Sequence, residues 1–175
     1  MTKLLFATVL LLAFAGISSA VPTTVTVRAK SKDAKFIGSS MGGALVVIRD
    51  AEDGEILAKG LTTGGTGDTQ RIMVEPAKRG VTVSDASTAK FEATLDISEP
   101  KFVTIEVSGP MGQKQSIAKS TTQVWLLPGK NIAGDGIMVE VPGFSVGLLS
   151  PKAHETFKLS GEGIIVPVRA NIVMM

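Results

Sequence analysis

The sequence predicts an all-β protein, a two-layer antiparallel β-sandwich of about ten short strands. Apolar and polar residues alternate with a period of two, again and again, roughly every ten residues from Val21 onward, and Gly, Pro and Asp residues punctuate the intervals. No stretch of that region carries the 3.6-residue apolar period of an amphipathic helix. Alternation leaves each strand one dry face and one wet face, and stacking two sheets by their dry faces buries the apolar side chains.

Ahead of the strands, residues 1–20 have the layout of a secretory signal peptide: Lys3, an apolar run over residues 4–15, then Ser18, Ser19 and Ala20. An apolar core of about a dozen residues is shorter than the roughly 20 needed to span a bilayer as a helix. Cleavage after Ala20 is therefore expected, which places the mature chain in a periplasmic or extracellular compartment with no stable membrane anchor. The absence of Cys removes both a lipidated anchor and a disulfide framework, so the core alone must hold the fold.

In chain order, strands are predicted at residues 24–29, 44–49, 55–59, 70–74, 91–97, 102–107, 124–127, 136–141, 144–149 and 163–173. Asp53-Gly54 separates the second from the third as a tight hairpin turn. Glu99-Pro100 makes residues 90–109 a hairpin or a sheet corner. Residues 45–48 and 124–127 are unbroken apolar runs, the pattern of central strands covered on both sides. The polar segment 109–122 divides the chain into a sandwich core of about seven strands at residues 21–108 and further strands at 123–175, which are expected to pack on it.

Charge excludes some partners. Without Lys3 the mature chain carries 17 basic residues against 16 acidic, a balance that gives no long-range attraction to nucleic acid or anionic lipid. Arg28, Lys30, Lys32 and Lys35 cluster, and with no Tyr and few aromatic residues to stack bases they are expected to form a solvated strand end.

Residues 24–29, the strand Gly43-Ala44-Leu45-Val46-Val47-Ile48, the turn Asp53-Gly54-Glu55 and the segment Gly60-Leu61-Thr62-Thr63 together resemble the start of carboxypeptidase-regulatory-like, transthyretin-like sandwich modules. The resemblance implies an immunoglobulin-like or transthyretin-like sandwich that serves as a non-catalytic accessory or scaffold. It carries over no site residue.

Several groups of residues invite a chemical reading. Gly143-Phe144-Ser145-Val146-Gly147 matches the nucleophile-elbow pattern, but its alternation continues as a strand where an elbow requires a helix. His154, the only His, follows with no acid between it and Ser145, so a secreted serine hydrolase is the weaker expectation. One His and no Cys argue against zinc. Asp50, Glu52, Asp53 and Glu55 crowd one hairpin and are weak calcium candidates, since alternate residues face opposite ways. Gly64-Gly65-Thr66-Gly67 lacks the Lys-Ser/Thr of a phosphate loop, and the scattered Met residues fill core gaps. No cofactor is implied. Trp125, the only Trp, is expected in the core; on a surface it would be the contact for a carbohydrate or peptide.

Both ends of the mature chain read as strands, and terminal strands either close their own sandwich or add to a neighbour. The chain is accordingly expected to be an exported, non-catalytic interaction or accessory module for a protein partner or surface polymer. The alternatives are a surface-fibre subunit that self-associates through its terminal strands, or the hydrolase.

Overall fold

The computed structural model describes residues 19–76, 78–158, 161 and 163–175. The predicted leader falls almost wholly on residues 1–18, outside the described residues. Nine strands are present among the described residues: β1 Val21–Ser31, β2 Leu45–Asp50, β3 Ile56–Leu61, β4 Phe91–Ile97, β5 Lys101–Gly109, β6 Ala118–Leu126, β7 Ile132–Val141, β8 Phe144–Ser150 and β9 Arg169–Met174. One short helix, α1 Thr69–Met73, interrupts them. No helix among the described residues is long and apolar enough to cross a membrane.

The strands form a three-stranded sheet ordered β4-β1-β7, a four-stranded sheet ordered β3-β2-β5-β6, and a separate β8-β9 hairpin. The fold is thus all-β and sandwich-like. It departs from an all-antiparallel arrangement in one place, where β1 runs parallel to β7. The dry faces of the two larger sheets meet in one core: Val25, Val27 and Ala29 of β1, Val46 and Ile48 of β2, Val103, Ile105 and Val107 of β5, with Leu126, Val139 and Val141. Each fully buried Val, Leu or Ile contributes about 1.5–3 kcal/mol, so this interlayer carries the fold without any cross-link.

Several predicted boundaries move. The predicted strand at 70–74 is replaced by the helix Thr69–Met73, because Asp68 caps the segment: its Oδ1 accepts the N–H groups of Gln70 and Arg71 at 2.9 and 3.2 Å. Residues 90–109 make the sheet corner, with β4 and β5 in different sheets. Residues 118–122 of the expected connector already belong to β6. Residues 21–109 supply five strands, not seven; β6 completes one sheet and β7 the other. In the predicted strand 163–173 only Arg169 onward pairs, after Pro167, which lacks the N–H a ladder needs.

Candidate functional site

β6 is the edge strand of the four-stranded sheet, and its side chains alternate between core and solvent along its whole length. Thr122, Val124 and Leu126 turn inward, while Lys119, Thr121, Gln123 and Trp125 turn outward. Trp125 is 59% exposed, which corrects the expectation that residues 124–127 form a buried central strand. Residues 119–123 are polar at every position and residues 124–127 apolar at every position, so the sequence shows no alternation there, and only the pairing with β5 places Trp125 on the wet face.

Antiparallel register puts Trp125 directly opposite Phe102 of β5, and the two rings stand 5.0 Å apart at 36°. Along β5 and β6 the other outward side chains are polar, while Leu45, Val47 and Leu61 lie on the same face across β2 and β3. Gln123 donates to the Thr104 hydroxyl at 3.0 Å, and Glu106 pairs with Arg49 at 3.5 Å and with Lys119 at 3.2 Å. An exposed aromatic pair at the end of two strands whose other outward side chains are polar is a contact platform, since rings gain from covering apolar surface that water otherwise wets.

The platform forms one wall of a cleft of about 380 Å³ whose other walls include Asp50, Glu52, Glu99 and Lys101. Asp50 is held inside the rim: its carboxylate accepts the Lys101 ammonium at 2.6 Å and the Glu52 N–H at 2.9 Å. The Lys101 hydrogen bond holds the Asp50 carboxyl below the usual carboxylate range, and the same bond raises Lys101. Asp53 caps the turn, its Oδ1 accepting the Glu55 N–H at 2.8 Å. Asp50, Glu52 and Asp53 do not converge, and no group of three or more acidic or His residues among the described residues is arranged to hold a metal ion.

Ser145 lies inside β8, 2% exposed, and β8 runs on as a strand to Ser150. No hydrogen bond joins it to His154 among the described residues. A different feature of β8 escaped sequence reading. Phe144, Val146 and Leu148 face the same way as their cross-strand partners Met174, Ile172 and Ala170, and this apolar ladder is exposed, with Phe144 at 61% and Ile172 at 66%. The outer backbone of β8 is occupied by side chains. Ser116 binds both the N–H and the C=O of Val146, and Gln115 does the same for Leu148.

The basic cluster also differs from expectation. Arg28 is 3% exposed at the centre of β1, and its guanidinium donates to the carbonyls of Thr88, Ala89 and Gly134. It stands on the face of β1 opposite Val27 and Ala29, where the backbone of residues 88, 89 and 134 covers it, which residue spacing alone does not reveal. Asp135 and Asp85 lie beside it. Burial would raise Asp135, but hydrogen bonds from Ser84 and from the Val83 N–H, with the Arg28 charge, bring it below the usual range. Hydrogen bonds from Ser87 and Thr88 hold Asp85 at about 2. Together these groups fix the loop before β4 to β1 and to the bulge of β7.

Comparison with protein-family models, with curated proteins and with solved structures gives no match. The chemistry must be read from the cleft itself. It offers an aromatic platform, an ion pair and two further carboxylates, a set suited to holding a ligand.

Proposed function

We propose that the protein is an exported, non-catalytic binding module that engages a partner or surface polymer through the Trp125 cleft. The observation that carries this is the exposed Trp125–Phe102 pair, placed beside a cleft where the neighbouring outward side chains of β5 and β6 are polar. A large ring held in water on a rigid strand gains most when a ligand covers it, which is why Trp recurs among the residues that dominate binding energy. Further support comes from the resemblance to carboxypeptidase-regulatory-like, transthyretin-like modules, which implies an accessory or scaffold role.

An array of neutral glycans and short basic, acidic and apolar peptides, probed with wild type and Trp125→Ala, tests this. At least one class should bind wild type and lose about 2 kcal/mol or more in the variant, roughly thirtyfold. The thermal midpoint should not move, because so exposed a ring contributes little to the core. Retention of all wild-type binding by Trp125→Ala would exclude the cleft.

A second reading, self-association, is favoured by the exposed β8-β9 ladder. β1 is paired on both edges within its own sheet, which leaves the carboxyl-terminal hairpin as the terminal element free to meet a second copy. Contiguous exposed apolar side chains of this kind mark interaction sites. Sedimentation should show wild type shifting to dimers or larger species with rising concentration, and Ile172→Lys remaining monomeric. Wild type that stays monomeric at millimolar concentration would remove this reading.

A further inference from the structure

We propose that the group bound in the Trp125 cleft is a cation, the side chain of an arginine or lysine on an extended segment of a partner protein. This rests on the Trp125 cleft being the binding face. The first support is charge. Asp50, Glu52 and Glu99 line the cleft against a single base, Lys101, and Lys101 is committed to Asp50 at 2.6 Å. Neither Glu52 nor Glu99 forms an ion pair among the described residues, and Glu99 shares only the field of a Lys101 that is hydrogen-bonded to Asp50. The chain as a whole has a formal net charge of +2, so the negative cleft is a local concentration and not a reflection of an acidic protein.

The second support is the ring. The face of an indole attracts a cation through its quadrupole, most strongly for Trp among the aromatic side chains. Trp125 presents open ring surface within the same cleft as the two carboxylates, so one guanidinium or ammonium can lie over the ring while its N–H groups reach Glu52 or Glu99. A neutral sugar could stack on the same ring, yet covering the cleft would partly strip water from two carboxylates without supplying a counter-charge, which costs free energy. A bare divalent ion is disfavoured because the acidic groups do not converge. A cleft of about 380 Å³ is larger than one ammonium group and accepts a side chain together with part of its backbone.

Because Trp125 is the only Trp, its fluorescence reports the site directly. Three probes separate the possibilities: the blocked peptide acetyl-Gly-Gly-Arg-Gly-Gly-amide, the same peptide with neutral citrulline in place of arginine, and cellopentaose. The arginine peptide should quench or shift Trp125 emission saturably, weaken as salt is added, and lose about tenfold in affinity in the Glu52→Gln/Glu99→Gln double variant. Both carboxylates belong to exposed residues, so the double variant should keep the wild-type thermal midpoint and remain a valid control. Equal binding of the citrulline peptide, stronger binding of cellopentaose, or no effect of the double variant would overturn the cation while leaving the Trp125 cleft as a binding face. An emission spectrum indifferent to all three probes, together with an unchanged array for Trp125→Ala, would overturn both.

Discussion

Arg28→Met is expected to destabilise the protein by about 3 kcal/mol, a large fraction of the stability of a domain this size. Methionine retains an apolar stem of similar length, so the change isolates the guanidinium. In wild type Arg28 donates to the Ala89 carbonyl at 3.0 Å and to the Gly134 carbonyl at 3.1 Å, donates again to Thr88, and lies 6.0 Å from the Phe36 ring centre. Two effects oppose each other. Burial disfavours the cation and pushes its pKa below the ordinary guanidinium value, so its removal returns some desolvation energy. Its loss also leaves three carbonyls without their donor and the neighbouring Asp135 and Asp85 without their cation, and unsatisfied buried acceptors cost about 1–3 kcal/mol each. The second effect wins because the acceptors come from the loop before β4 and from the bulge of β7, which this one side chain joins to β1. Urea unfolding should show the midpoint falling sharply for Arg28→Met and by less for Arg28→Lys, whose single ammonium cannot reach all three carbonyls. An Arg28→Met midpoint equal to wild type would mean that water replaces the guanidinium.

Gly136→Ala is expected to cost about 3 kcal/mol, combining backbone strain with a steric clash. Gly136 sits where the β1-β7 register jumps from Val25 opposite Ile132 to Val27 opposite Ile137, so residues 133–136 of β7 bulge beside the single residue Thr26. Its φ is +64°, a conformation that residues with a Cβ rarely adopt, and an added Cβ would lie 2.3 Å from the Thr26 carbonyl oxygen. Relief requires β7 to move away from β1, which would also carry off Gly134 and Asp135, the partners of Arg28 and Ser84. Gly54→Ala is the control: φ is +79° there as well, but no atom lies within 4 Å of the added Cβ. Only strain of about 1 kcal/mol should appear at Gly54. Similar losses at the two sites in urea unfolding would show that the bulge yields without disturbing β1.

Alternation made the strands legible because it records which side chains share a face. Thr24, Thr26, Val25 and Val27 announce β1 before any partner is known. Sheet membership was not legible in the same way. Residues 91–97 and 102–107 read equally well as a hairpin and as a corner, and the difference lies in which neighbours cover them. The helix at Thr69–Met73 was hidden by its shortness, since five residues carry no period, and only the capping Asp68 signalled it. The exposure of Trp125 was not legible because a wholly polar run, 119–123, meets a wholly apolar run, 124–127, and neither carries a period of two.

The sequence by itself determined that this is a β protein held by one apolar interlayer, and which side chains belong together on each strand, because residue spacing along a strand dictates the direction of every Cβ. Only the tertiary structure decided that β1 runs parallel to β7, that Arg28 is buried, and that Trp125 stands in water beside Glu52 and Glu99. Those outcomes depend on which strand lies at an edge and which at a centre. That choice is made by contacts between residues far apart in the chain, and no local pattern encodes it.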